Sequence, residues 1–586
     1  MAAVGTRRAA GPGAELADNQ PFTITEEVMT TCLPHSFESP VRARGLRAAL
    51  AFCVFAIGLQ GASFGQATSS WVYYDSHGRL HYATDPAGNR IIDYSSAGYR
   101  GGGVALPRVP ARVTVNPTGS DDTAAIQAAI DTVSALQPDR RGFRGAVLLS
   151  PGAFNISATL HITTSGVVLS GSGSGTTGSV LTMTGDPFTL LAVSGSGSYT
   201  RGPSVAMTDS FVPTGARSFN VSDASGFKVG DRILISRPVT APWVSLVGMD
   251  TLVRNGLPQT WIPVGNEILT DRTITAIKGG QISIDAPLTD SFDSQFLNPP
   301  GGSVATYTFA GRISEVGVEH LRIVAPPTTV TSPLYLAMTI GSVENGWVRD
   351  LNIQDTENTF QLSNTNKQLT LDSINVVHTI AQTNSAAPAD FALSGTQILV
   401  NNCTVTGRGN TWPFVTQAQV TGPVVILKAF ADDRGFGPHQ RWATGLLCDM
   451  CQFPSTYTGD KAGVAYSNRG NFGSGQGWDA AWSVAWNVTT TYFLVQAPGG
   501  AENWCIGCTG SVLSEAAPGG DGTIQPNGIY ESLGTPVTPG SLYLAQLKQR
   551  LGTQALRNIG YADTNGTPLG GQCSTGTDAP AQTGAE

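Results

Sequence analysis

A chain of 586 residues with 70 Gly, 13 % charged residues and a formal net charge of −8 can bury a large core, and its composition favours β structure over long amphipathic helices. The acidic balance excludes the broad basic face that a nucleic-acid binder needs. A local basic cleft, and with it a polyanionic partner, stays compatible with that total.

The first feature along the chain is an address. Arg42, Arg44 and Arg47 precede an apolar run from Ala48 to Leu59, then small residues and Gly65-Gln66-Ala67, the order of a signal peptide cleaved after Ala67. The run is shorter than the ~20 residues of a membrane span, and no later stretch is apolar for long enough. An N-terminal anchor is the alternative, since the two differ chiefly in length and flank. The expectation is secretion, to the extracellular or periplasmic space, with no membrane partner after cleavage. Residues before Met29 are rich in small and acidic side chains, which makes Met29 a candidate start.

Next comes a cap. Asn116-Pro-Thr-Gly-Ser-Asp-Asp-Thr-Ala-Ala-Ile-Gln-Ala-Ala-Ile130 reads as a loop, an acidic and hydroxyl N-cap and a helix with Ile126 and Ile130 on one face. Gly145 to Gly152, Phe154 to Ile162 and Gly166 to Gly173 then give three short strands punctuated by Gly and Pro. The pattern D-D-T-x-A-I-Q-x-A-I, followed by G-x-V-x-x-P-x-G and V-x-L-x-G-x-G strands, resembles the cap and first coil of the pectate-lyase-like superfamily. That resemblance spans Val113 to Gly173. It implies an all-β, right-handed parallel β-helix and is silent on chemistry, because the same cap occurs in hydrolases, epimerases and tailspikes.

Ser218 to Ile235, Arg272 to Ile277 and Gln281 to Asp285 read as an inserted antiparallel β module with a Val-Gly-Asp turn. Trp243 and Trp261 within it either stack on sugar rings or, the favoured reading, pack the module against the coil. Beyond it, apolar-x-x-apolar-x-apolar recurs as Val318 to Ile323, Val348 to Ile353, Leu371 to Val376 and Val400 to Val405, and less cleanly around Cys448, Ser483 and Cys505. The spacing is that of β-solenoid coils, in which Cys403, Cys451 and Cys508 fall on one inward ladder. Cys448-Asp-Met-Cys451 and Cys505-Ile-Gly-Cys508 are CxxC pairs. In an exported chain disulfides or buried thiols are favoured over zinc for them, with Cys573 as the sixth mature cysteine.

The chemistry is expected where polar and aromatic residues crowd on coil loops, between Lys428 and Trp486. His439 is the candidate base and Arg441 the carboxylate clamp of a lyase acting on an acidic polysaccharide by β-elimination, with Lys428 as a further catalytic candidate. The superfamily resemblance implies that Arg or Lys serves equally as base. Arg469, Asn468, Trp442 and Trp478 are candidate substrate-binding residues, and Arg434 and Trp482 belong to the same cluster. Glycoside hydrolysis is the rival, needing two carboxyl groups. Asp432-Asp433 is similar to the adjacent aspartates of polygalacturonases, with Asp449 or Asp479 to complete a set, although no Gly-His-Gly exists here. Asp432 and Asp433 are alternatively calcium ligands. A non-catalytic polysaccharide-binding protein is the third class.

Gly540 to Leu551 is a helix candidate with Leu542, Leu547 and Leu551 near one face, expected to cap the final coil. The division is a 1–67 leader, a 68–204 first part of the β-helix, a 205–300 module, 301–552 main coils with the C-terminal cap, and a flexible 553–586 tail.

Overall fold

The computed structural model describes residues 66–328, 334–380, 389–407 and 412–569. The leader up to residue 65, with Met29, Cys32 and Cys53, and Cys573 lie outside the described residues, whereas Ala67, the last residue of the expected leader, is part of a strand. Among those described, no helix is long and apolar enough to cross a membrane.

The short apolar runs form strands that pair in parallel with their counterparts one coil on. One inward column runs Val318, Val348, Leu371, Val400, Ile426 and Cys448, and it extends back to Val113 and on to Tyr530. A second column stacks Phe360, Phe391 and Phe414, with ring centroids 5.2 and 4.9 Å apart. The result is an all-β, right-handed parallel β-helix, the crossover hand that parallel connections adopt.

The repeat has a backbone cause. Its third position holds a left-handed residue in coil after coil: His320 (φ 60°), Asp350 (52°), Ser373 (54°), Asn402 (52°) and Met450 (56°). That residue turns the chain through a corner, so the apolar residues two before it and one after it both face inward. Asp and Asn adopt this conformation more readily than most residues. Lys428 (52°) occupies the same corner. Cys403, Cys451 and Cys508 are fully buried free thiols just past their corners, as are Cys448 and Cys505 on the neighbouring column.

The cap helix spans Thr123–Ser134 and buries Ile126, Ala129, Ile130 and Val133. The module interrupts the β-helix between Ser194 and Ile313. It is wider than 205–300, because Thr200–Arg201 pairs with Ser303–Thr308 and closes it. Its centre is the antiparallel pair Arg232–Pro238 and Glu267–Lys278. Arg272, fully buried, bolts it to the coils: the guanidinium donates to the carbonyls of Asp271, Ala286 and Pro287 within the module and to Thr396 Oγ1 and Gly422 O on the coils, at 2.7–3.1 Å.

Two expectations need correction. The helix Leu542–Leu551 does not cover the final coil. It lies along a flank, where Ser541 Oγ donates to Asp449 Oδ2 at 2.7 Å and the helix packs with Tyr94 and the outward residues Leu399, Leu427 and Leu447. Those strands are apolar on both faces and need a cover. The chain also stays folded beyond Gly552: Thr553–Asn558 is helical, and Leu556 and Tyr561 are buried. The N-terminal segment joins the same flank, since Ala67–Thr68 pairs in parallel with Val537–Thr538, and the coils themselves begin at Ala111–Val115.

Candidate functional site

Register along the β-helix lines up a set of turns on one lateral edge. Val343–Gln354 leads through Asp355 and Glu357 into the next strand, Lys367–His378 ends at His378, and Ala389–Leu393 resumes with Asp390. Further on, Trp412–Thr416 opens with Trp412, Phe430–Ala431 runs into Asp432, Asp433 and Arg434, and Tyr457 and Asp460 follow Gln452–Phe453. Because Val376 pairs with Val405 and Val405 with Ala431, these turns climb by about 4.8 Å per coil. The side chains form a band that is acidic at one end and cationic at the other.

At the acidic end His378 Nε2 meets Asp390 Oδ2 at 3.1 Å, and Asp390 Oδ1 accepts from Thr359 at 2.8 Å. Burial opposes a charge on His378, but Asp390, with Asp355 and Asp432 behind it, overcomes burial and raises its pKa. Asp432 is exposed and accepts the Gly407 N–H at 3.0 Å. Asp433 turns the other way. Burial raises its carboxyl pKa against the Arg434 guanidinium and the Tyr457 hydroxyl, and its Oδ2 is enclosed without a hydrogen-bond partner among the described residues.

At the cationic end Arg434 lies over Trp412 (4.7 Å) and Tyr457 (5.0 Å), and Arg469 lies over the same Trp412 ring at 5.4 Å. Arg469 binds Asp460 Oδ2 at 2.6 Å and donates to the His439 carbonyl at 2.5 Å. His439 Nε2 is 3.2 Å from Gln476 Nε2. Burial first, then the charges of Arg469 and Arg441, push His439 down to about 4, so at neutral pH the ring is uncharged. Arg441 gives its donors to Trp261 O (2.6 Å), to Ser474 (2.7 and 3.0 Å) and to Gln440. Neither guanidinium presents an unoccupied fork.

Of the candidates from the sequence, His439, Arg441 and Arg469 come together, and Asp433 joins them through Arg434 and Asp460. Lys428 does not. From its corner it reaches the opposite partner set, donating to Gly566 O at 2.7 Å and lying over Tyr561. Trp442 and Trp478 are not sugar platforms. They are 1 % and 2 % exposed in the seam between module and coils, with their indole N–H groups on Asp290 Oδ2 and Val247 O. Trp243 and Trp261 pack in that same seam, with Trp243 edge-on to Trp442 at 5.1 Å, and Trp482 donates to Asp290. Asn468 spends its side chain on Gly470 N and Gln525. Asp449 is buried away from the band, and that burial pushes it up to about 7; Asp479, also pushed up by burial, lies within electrostatic reach of Arg469 and Asp460 and accepts the Ser467 N–H at 2.8 Å. Asp432 is exposed and Asp433 partly buried, and among the described residues no group of three or more His, Cys, Asp or Glu is arranged to hold a metal.

The sequence reading missed Trp412, Tyr457, Asp460, Gln476 and the His378–Asp390 pair. Tyr457 and Asp460 carried one signal, a polar stretch between Phe453 and Val464 longer than a tight turn.

No family model matches the sequence, and no curated protein matches it. Among solved structures the chain is similar to the tailspike protein gp49 from Pseudomonas phage LKA1, at 12 % identity over 72 % of both chains with a TM-score of 0.35. It is similar to the Gp54 tailspike of Acinetobacter baumannii bacteriophage AP22, solved in complex with capsular saccharide, at 12 % identity and a TM-score of 0.31, covering 67 % of this chain and 51 % of the other. The chain thus spans about half the length of that tailspike. Likeness to the polygalacturonase from Erwinia carotovora ssp. carotovora is 11 % in identity with a TM-score of 0.28, over 74 % of this chain and 95 % of that one. The ladders and the corner column define the fold: an all-β, right-handed parallel β-helix.

Proposed function

We propose that the protein is exported and cleaves an acidic polysaccharide laid along this edge, by β-elimination at a uronate residue. The observation that carries this reading is an uncharged His439 set between Arg469 and Arg441. An imidazole with a pKa of about 4 is a free base but a weak one. A uronate carboxylate arriving beside the two guanidiniums offsets the field that depresses it, so substrate itself raises the basicity of His439. The ring then takes the proton α to the carboxyl group, the electron pair left behind forms a double bond to the β carbon as the bond from that carbon to the glycosidic oxygen breaks, and the leaving oxygen takes a proton from water. Arg469 and Arg441, already held by protein acceptors, act as fixed positive charge for the enolate-like oxygen rather than as a bidentate clamp.

Hydrolysis remains the second reading on one observation, the raised carboxyl of Asp433, which favours the protonated form a general acid needs. The test is a panel of uronate-rich and neutral polysaccharides, followed by the ultraviolet absorbance of an unsaturated uronate together with reducing ends. Both signals rising, and both lost in His439→Ala, support elimination. Reducing ends alone, lost in Asp433→Asn, replace it with hydrolysis. Binding without either signal makes the protein a polysaccharide-holding scaffold.

A further inference from the structure

A cavity of about 110 Å³ lies where the module meets the coils, walled by Tyr199, Glu267, Asp271, Asn364, Thr396 and Gln419. It has room for several waters, whose places sugar hydroxyls can take. Its coil side is built from successive turns, after Asn358–Leu362, after Ala389–Leu393 and after Trp412–Thr416. Gln419 N donates to Arg441 O at 2.8 Å, so the cavity lies one turn from the cationic end of the band.

The polar groups at its floor are committed. Thr396 Oγ1 donates to Gly422 O at 2.8 Å, and Thr421 Oγ1 to Leu269 O at 2.9 Å. Asp271 takes Lys367 Nζ at 2.9 Å, Arg312 Nη1 at 3.0 Å and the Tyr307 hydroxyl at 2.7 Å. The mouth differs. The side-chain amides of Asn364 and Gln419, exposed and half-buried respectively, have no hydrogen-bond partner among the described residues. Each amide offers one acceptor and two donors, the complement of a vicinal diol. The lining holds two carboxylates and no Lys, Arg or His, so a uronate would find like charge and no uncommitted cation. Tyr199 adds aromatic surface to the wall.

We infer that this cavity is a binding site for a neutral sugar residue, held at the mouth by Asn364 and Gln419. The inference goes beyond the cleavage reading, because it requires binding alone and holds whichever bond is cut. If both are correct, the polymer presents a neutral residue one coil from its uronate.

Calorimetric titration of the full chain with cellohexaose, xylohexaose, mannohexaose and trigalacturonate tests it. Expected is saturable binding of at least one neutral hexasaccharide, weakened about tenfold by Asn364→Ala and by Gln419→Ala, as the loss of a well-made polar contact implies. Ala418→Trp, which fills the mouth, abolishes it, and unchanged melting curves show that the variants fold. The inference is overturned if no neutral sugar binds, if binding ignores all three substitutions, or if trigalacturonate is the ligand whose affinity they reduce. Affinity is read without turnover, so an absence of cleavage counts against the proposed reaction and leaves the neutral-sugar site standing.

Discussion

Acidification will destabilise this protein through His439. In the fold its pKa lies at about 4, pushed down by burial and then by Arg469 and Arg441, against 6.5 for the free side chain. Above pH 6.5 the ring is neutral in both folded and unfolded chains. Between 6.5 and 4 the unfolded chain takes the proton and the folded one refuses it, so stability falls as pH drops and levels off below about 4. The gap, 6.5 − 4 = 2.5, corresponds to about 3 kcal/mol. A folded unit of roughly 500 residues has an unfolding entropy of about 1 kcal/mol/K, so the effect is about 3 °C in melting temperature. Scanning calorimetry of the native protein and of His439→Gln at pH 7 and pH 4 measures it. The native protein should lose about 3 °C more than the variant, and the carboxyls that titrate over the same range cancel in the comparison. Equal losses, or a His439 ring signal that titrates near 6.5 by NMR, would refute the assigned environment.

Two further perturbations address the frame around the site. Arg272→Met removes the donor to Thr396 Oγ1 and to the carbonyls of Asp271, Ala286, Pro287 and Gly422, the last of which keeps Thr396 Oγ1, and it should destabilise the protein by about 3 kcal/mol or more, with hydrogen exchange rising first in Arg232–Pro238 and Glu267–Lys278. Asp449→Ala removes the carboxylate that accepts Ser541 Oγ and the N–H groups of Leu542 and Tyr543, and it should cost about 1–2 kcal/mol, read as faster exchange confined to Leu542–Leu551. Uniform exchange across the coils in either variant would contradict the local roles given to these residues.

The β-helix was legible because its signals are local. Ile126 and Ile130 mark the cap face, and the pairs Val318/Leu321 and Val348/Leu351 mark the inward columns. The corner between them had a signal too: Asp350, Asn402 and Asn487 fall at the same place in their repeats and are residues that adopt the left-handed conformation more readily than most. The site was half legible. His439 and Arg441 share a loop, but Lys428, equally close in sequence, is turned by its corner toward Tyr561 on another flank. Trp442 and Trp478 lay in a Gly-rich, polar stretch that resembles an open platform. What buries them is a module inserted some two hundred residues earlier, and no local pattern records that contact. The flank was readable in principle. Ile398 to Val400 and Val424 to Leu427 are continuous apolar runs, which signal strands covered on both faces, and the C-terminal helix supplies the cover.

The pairing of Ala67–Thr68 with Val537–Thr538, joined by the Leu80 N–H on Gln549, sets an order of assembly. Coil strands can stack as they emerge, each on the last, because each pairs with its counterpart one coil earlier. The opening strand has no partner until nearly the whole chain has been made, since the residues it needs arrive some 470 positions later. The molecule therefore closes like a buckle, at the end rather than the beginning.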